Sequence, residues 1–123
     1  MGVPTTRPEC LFCQIIEGKV PSKKLYEDAD CICIKDKYPN AKTHLLVIPK
    51  KHIASMDEMF PGDATNEQNN DHEKLIGHLM KKTVDIARQL GLLPGGYKTV
   101  IHTNKLGGQV IFHLHIHLMC DHT

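Results

Sequence analysis

Apolar and polar positions alternate strictly at two places in the chain. Cys31 and Cys33 alternate with Ile32 and Ile34, and Phe112, Leu114, Ile116 and Leu118 alternate with His113, His115 and His117. A period of two belongs to a strand, whose side chains point to opposite faces. Residues 44–49 form a continuous apolar run of strand length, opened by His44 and stopped by Pro49. Residues 25–27 and 31–35 read as a hairpin, 36–40 as a turn and 97–102 as a further strand. Helical spacing occurs twice. Phe12, Ile15 and Ile16 lie within 10–18, a short helix closed by Gly18 and Pro21. Residues 71–90 carry Leu75, Ile76, Leu79, Met80, Val84, Ala87 and Leu90, with Asn70 and Glu73 as a capping box and Gly91 as the stop. On this pattern Leu79 and Met80 are core residues. Residues 61–70 hold almost nothing apolar and read as a loop. Strands joined by short connections, with one long helix between them, predict an α+β domain with an antiparallel sheet.

Composition narrows the function classes. The 123 residues suffice for one domain with a real core, and residues 1–9, with two prolines, read as a loose arm before a domain spanning 10–123. A net charge of +1 gives no basic field for nucleic acid. No apolar run approaches the ~20 residues of a membrane span, so no membrane role is expected. Residues 1–6 fit the loose N-myristoylation pattern at Gly2, which is read as accidental. Five cysteines, an odd number without a secreted-type framework, indicate a reducing, cytoplasmic setting.

The histidine row is the candidate chemistry. Alternate residues on one strand face lie roughly 7 Å apart, so neighbouring imidazoles can act on one small ligand. Gly107, Gly108 and Gln109 precede the row, and their backbone N–H groups could hold phosphate oxygens. His115, flanked by His113 and His117, is the candidate nucleophile, and His117 the donor to a leaving group. A three-histidine metal site is the rival reading, ranked lower because only two alternate positions comfortably reach one ion. His44 could orient the site from behind or be a satisfied histidine at a strand start, and Asp36 lies in a turn where Asp is common. Cys10 and Cys13 form a Cys-x-x-Cys without a second one. His52 and His113 would have to complete a tetrahedral site, with a redox pair or chance as alternatives.

Residues 113–119, His-Leu-His-Ile-His-Leu-Met, fit the signature of the histidine triad (HIT) superfamily. Residues 12–21, 26–28, 35–36, 43–52 and 107–109 resemble its Hint branch in order, so the resemblance covers about residues 10–119. It implies a HIT-like fold that dimerises into one continuous sheet. It also implies a hydrolase or transferase acting at the α-phosphorus of purine nucleoside phosphoramidates through a nucleotidyl-histidine intermediate. His115 would match the nucleophile, His117 the residue at the leaving group, and His113 and His44 the supporting histidines. Asp36 would match the ribose-binding carboxylate, and Phe12, Ile15, Ile34 and Leu46 the walls of the base pocket. Some similar proteins bind zinc at positions matching Cys10, Cys13, His52 and His113, which implies structural Zn2+. A dinucleoside polyphosphate hydrolase, or a nucleotide-binding or interaction module with weak catalysis, are the alternatives. His102 stands where Hint-like proteins usually have Asn near the phosphate. Val110 stands where many have Ser, and the sequence ends at Cys120-Asp121-His122-Thr123 without the longer Hint tail. Each departure bears on rate or leaving group.

Overall fold

A computed structural model describes residues 6–122; the Gly2 motif lies outside them. Five strands, β1 (Lys24–Glu27), β2 (Cys31–Lys35), β3 (Thr43–Pro49), β4 (Lys98–Val100) and β5 (Ile116–Cys120), form one antiparallel sheet in the order β1-β2-β3-β5-β4. Helices α1 (Leu11–Ile16), α2 (Met56–Met59) and α3 (Asn66–Gln89) complete the α+β fold. No helix of the described residues is long and apolar enough to cross a membrane.

The period of two sorts the strands between two layers. Cys31, Cys33, Leu45, Val47, Ile116 and Leu118 point to one face, where they pack against Leu79, Ile86 and Ala87 of α3. Ile32, Ile34, Leu46 and Ile48 point to the other, where Phe12 and Ile15 of α1 cover them. Thiols on the α3 face act as small apolar groups, and burial pushes those of Cys31 and Cys33 up to about 12.

Two boundaries and one core assignment depart from the sequence pattern. The long helix begins at Asn66, not 71. Thr65 accepts from the Gln68 amide while the Gln68 side chain accepts from the Thr65 amide, a capping box that sets the start within the apparent loop. The first turns of α3 are exposed, so no apolar stripe marks them. Met80 is 37% exposed and lies off the core face, whereas Leu79 is fully buried. The ladder of the histidine strand starts only at Ile116, and Phe112 is 49% exposed rather than in the apolar row. Before it, the chain crosses to the residues after β3, with the Leu114 amide donating to Ile53 O at 2.8 Å.

Asp28 ties the β1–β2 turn to α3. Its Oδ1 accepts the amides of Asp30 and Cys31 at 2.7 and 2.8 Å, and its Oδ2 accepts from Tyr26 Oη at 2.8 Å and His78 Nε2 at 2.7 Å. Burial works against the charged carboxylate. Its four donors outweigh burial and hold the group well below the usual range.

Candidate functional site

Sheet register brings the site together. His117 on β5 stands opposite Leu46 on β3, so both point to the face covered by α1. His44 lies two residues before Leu46 and shares that face. The rings of His44 and His115 come within 5.1 and 4.9 Å of the His117 ring, centroid to centroid, and His102 approaches it to 5.0 Å. Phe12 sets its edge against His115 at 5.1 Å and belongs to the same apolar cluster as Ile15, Ile34 and Leu46.

Hydrogen bonds fix which nitrogen of each imidazole carries its proton. The Asn40 amide donates to His44 Nδ1 at 3.0 Å, so neutral His44 is protonated on Nε2. That Nε2–H faces His117 Nδ1 at 2.8 Å and Asp36 Oδ2 at 3.3 Å. His117 Nδ1 therefore accepts, and its proton sits on Nε2, a buried atom with no partner among the described residues. His115 Nδ1–H donates to the His113 carbonyl at 2.7 Å, leaving its Nε2 lone pair free. Burial lowers His115 below the ordinary imidazole range. Burial and then neighbouring His115, His44 and His102 lower His117 to about 4, so both are neutral near pH 7. The site thus holds a fixed nucleophilic lone pair beside an unsatisfied N–H donor.

The loop before the histidines has a different role from the one its glycines suggest. Gly107 and Gln109 amides donate to Asn104 O and the Gly108 amide to Lys105 O, so all three close a turn instead of facing an anion. Gln109 is buried. Its Nε2 donates to Ala54 O and Ile111 O, and its Oε1 accepts from the Asn104 amide. Val110 points outward, 85% exposed.

His113 turns its ring away from this group. Its Nε2–H donates to Pro49 O at 2.7 Å, which leaves the Nδ1 lone pair aimed at Cys10 Sγ (3.3 Å) and Cys13 Sγ (3.5 Å). His52 Nδ1 lies 3.3 Å from Cys13 Sγ. The four donor atoms lie within 4.8 Å of one another. Zinc bonds of ~2.3 Å to sulfur and ~2.1 Å to nitrogen give an S···N edge of about 3.6 Å in a tetrahedron, close to the observed separations. Two thiols and two imidazoles, one of them oriented by a carbonyl, fit such an ion. Asn40 and Pro49 act through backbone groups, which left no side-chain signal in the sequence.

Residues 9–123 match the family described as "Scavenger mRNA decapping enzyme C-term binding". Protein HitA of Neisseria gonorrhoeae is 43% identical over 110 residues, covering 89% of this chain and 94% of its own length. The chain belongs to the histidine triad family. A HIT family hydrolase of Legionella pneumophila superposes with a TM-score of 0.81 at 35% identity, over 94% of this chain and 95% of that one. A zinc-bound histidine triad protein of Mycobacterium smegmatis gives 0.70 at 29% identity, over 94% and 76%. The HIT signature histidines of this chain fall into two groups, with His115 and His117 beside His44 and His113 beside the cysteines.

Proposed function

We propose that the chain is a hydrolase acting at the α-phosphorus of nucleoside 5′-phosphate derivatives, with purine nucleoside phosphoramidates as its substrate class. The observation that carries this reading is the buried, unpartnered Nε2–H of His117 beside the free Nε2 of His115. A buried donor without a partner costs about 1–3 kcal/mol, and an oxygen or nitrogen at the reacting phosphorus would satisfy it. His115 Nε2 attacks phosphorus, the P–N bond breaks, and a nucleotidyl-histidine forms. The negative charge of the bound phosphate favours one added proton on His117. His117 gives that proton to the leaving amine. Water then attacks phosphorus, its proton returns to His117, and the P–Nε2 bond breaks to release the nucleoside monophosphate. Phe12, Ile15, Ile34 and Leu46 would wall the base, Asp36 would receive the ribose hydroxyls, and Gly108 and Gln109 would set the loop over the phosphate.

Zinc, held by Cys10, Cys13, His52 and His113, would pin α1 to the sheet with all four positions filled by protein. A homodimer in a cytoplasmic setting completes the reading. The test is hydrolysis of adenosine 5′-phosphoramidate by the parent chain and His115→Ala. Turnover lost in the variant, with AMP binding kept, supports the covalent role. Undiminished turnover in the variant refutes it, and AMP binding without turnover in either chain assigns a nucleotide-binding module instead. Metal analysis of the untagged parent and Cys10→Ser tests zinc, and negligible metal in both sinks it.

A further inference from the structure

Asp28 and His78 meet where the β1–β2 turn touches α3, and a third group stands beside them. Cys31 opens β2, and the period of two turns it to the face that α3 covers. One ligand atom each of Asp28, Cys31 and His78 lies within 4.8 Å of the other two. A hydrogen bond between turn and helix needs the carboxylate and the ring but has no use for the thiol. Carboxylate, thiolate and imidazole together are the ligand types of zinc and related divalent ions.

The surroundings suit a ligand set. The amides of Asp30 and Cys31 fix Asp28 Oδ1, and Tyr26 Oη donates to Oδ2 at 2.8 Å. Ligating carboxylates are ordinarily oriented by such outer hydrogen bonds. The proton between Asp28 Oδ2 and His78 Nε2, 2.7 Å apart, takes the place an ion would fill. Metal bonds of ~2.1 Å set an O···N edge of about 3.4 Å in a tetrahedron, so the His78 ring has to swing out by about 0.7 Å. Its side chain is 31% exposed and lines a cleft of about 300 Å³ with Asp30, Asp71, Lys74 and Leu75, which leaves it room. Lys82 Nζ lies over the Tyr26 ring at 5.6 Å, and Asp85 at 3.6 Å offsets its charge.

We propose that Asp28, Cys31 and His78 form a second metal site, separate from the Cys10 cluster, for zinc or a similar divalent ion. Three protein ligands leave one coordination position, which the cleft supplies with water. Burial and then the Asp28 charge push the Cys31 thiol up to about 12, so binding sends one thiol proton to solvent. The His78 ring keeps its own proton by moving it to Nδ1. The bound ion ties the β1–β2 turn, β2 and α3 together. This inference does not depend on the phosphorus chemistry proposed above.

Cobalt reports both the number of ions and the presence of a thiolate ligand. The metal-free parent, His78→Gln and Cys31→Ala are loaded with Co2+ and freed of excess by gel filtration. Bound cobalt and thiolate-to-metal charge-transfer absorption are then measured. Gln keeps a donor to Asp28, and Ala keeps a small apolar group under α3, so neither change removes the packing around the turn. Each variant is expected to hold one equivalent of cobalt less than the parent, with a matching loss of charge-transfer absorption. With Cys10→Ser in all three chains, the same difference of one equivalent is expected. Equal cobalt in the parent and either variant overturns the site, whatever the Cys10 cluster holds. Loss of the ion with unchanged absorption overturns it as well, because the thiolate is then not a ligand.

Discussion

Replacing Asp28 by Asn tests how the turn between β1 and β2 is held to α3. Asn retains an oxygen for the amides of Asp30 and Cys31. In place of the second oxygen it sets an NH2 against Tyr26 Oη and His78 Nε2, which now lie 2.8 and 2.7 Å from Oδ2. Hydrogen bonds to a charged group are worth about 1.5–3 kcal/mol when shielded from water. The Asp28 side chain is 22% and that of His78 31% exposed, so solvent screening brings each bond to roughly 0.5–1 kcal/mol. The two bonds together give a loss of about 1–2 kcal/mol near pH 7, equivalent to roughly 4–8 °C in Tm for a chain of this size. The pH dependence has a definite sign. The folded carboxyl is depressed below its ordinary value of 3.8, so its contribution is present above that value and fades as pH falls. Urea unfolding of parent and Asp28→Asn at pH 7, 5 and 3 should show a gap that is steady between 7 and 5 and narrower at 3. A gap that stays constant to pH 3, or widens there, refutes the charge-based account.

Three further outcomes follow from the geometry. His44→Phe keeps a ring but removes the donor to His117 Nδ1, and kcat for a phosphoramidate should fall by about 10²-fold with little change in KM; a kcat within threefold of the parent rejects that positioning role. Gly108→Ala meets both a φ of +95° and the His102 ring at 3.1 Å, and denaturant unfolding should show a loss of about 1–2 kcal/mol, with the His102 ring resonances displaced. Leu118→Ala, fully buried between the sheet and α3, should cost about 2–5 kcal/mol by urea unfolding, whereas Val110→Ala at the surface should stay within about 0.5 kcal/mol.

Most of the fold was legible because its elements bury a face. The Cys31–Lys35 strand was read from its alternation alone, and the run from His44 to Pro49 was readable because β3 is central and buried on both sides. The start of α3 was missed because its first turns rest on the Thr65–Gln68 cap and not on apolar contacts. The start of β5 was missed for a complementary reason. Residues 113–115 keep the alternation of a strand, but they lie outside the ladder and bond elsewhere, as the Leu114 amide does to Ile53. Parity put His115 and His117 on one face, yet it carried no information on what orients them. The Asn40 amide and the carbonyls of Pro49 and His113 do that, and backbone groups look the same at every position. The glycines misled for a related reason, since composition marks a permissive backbone without saying where its amides point.

The register of β5 against β3 limits how this sequence can diverge. His117 faces α1 and Leu118 faces α3 because Leu46 and Leu45 stand opposite them. Loss or gain of one residue within β5 would move His117 toward the α3 core and Leu118 toward the candidate site. Substitutions on the exposed stretches around Leu106 and Val110 can accumulate singly, whereas a length change within β5 has no partial version. Variation in this part of a lineage should therefore occur in residue type and almost never in spacing.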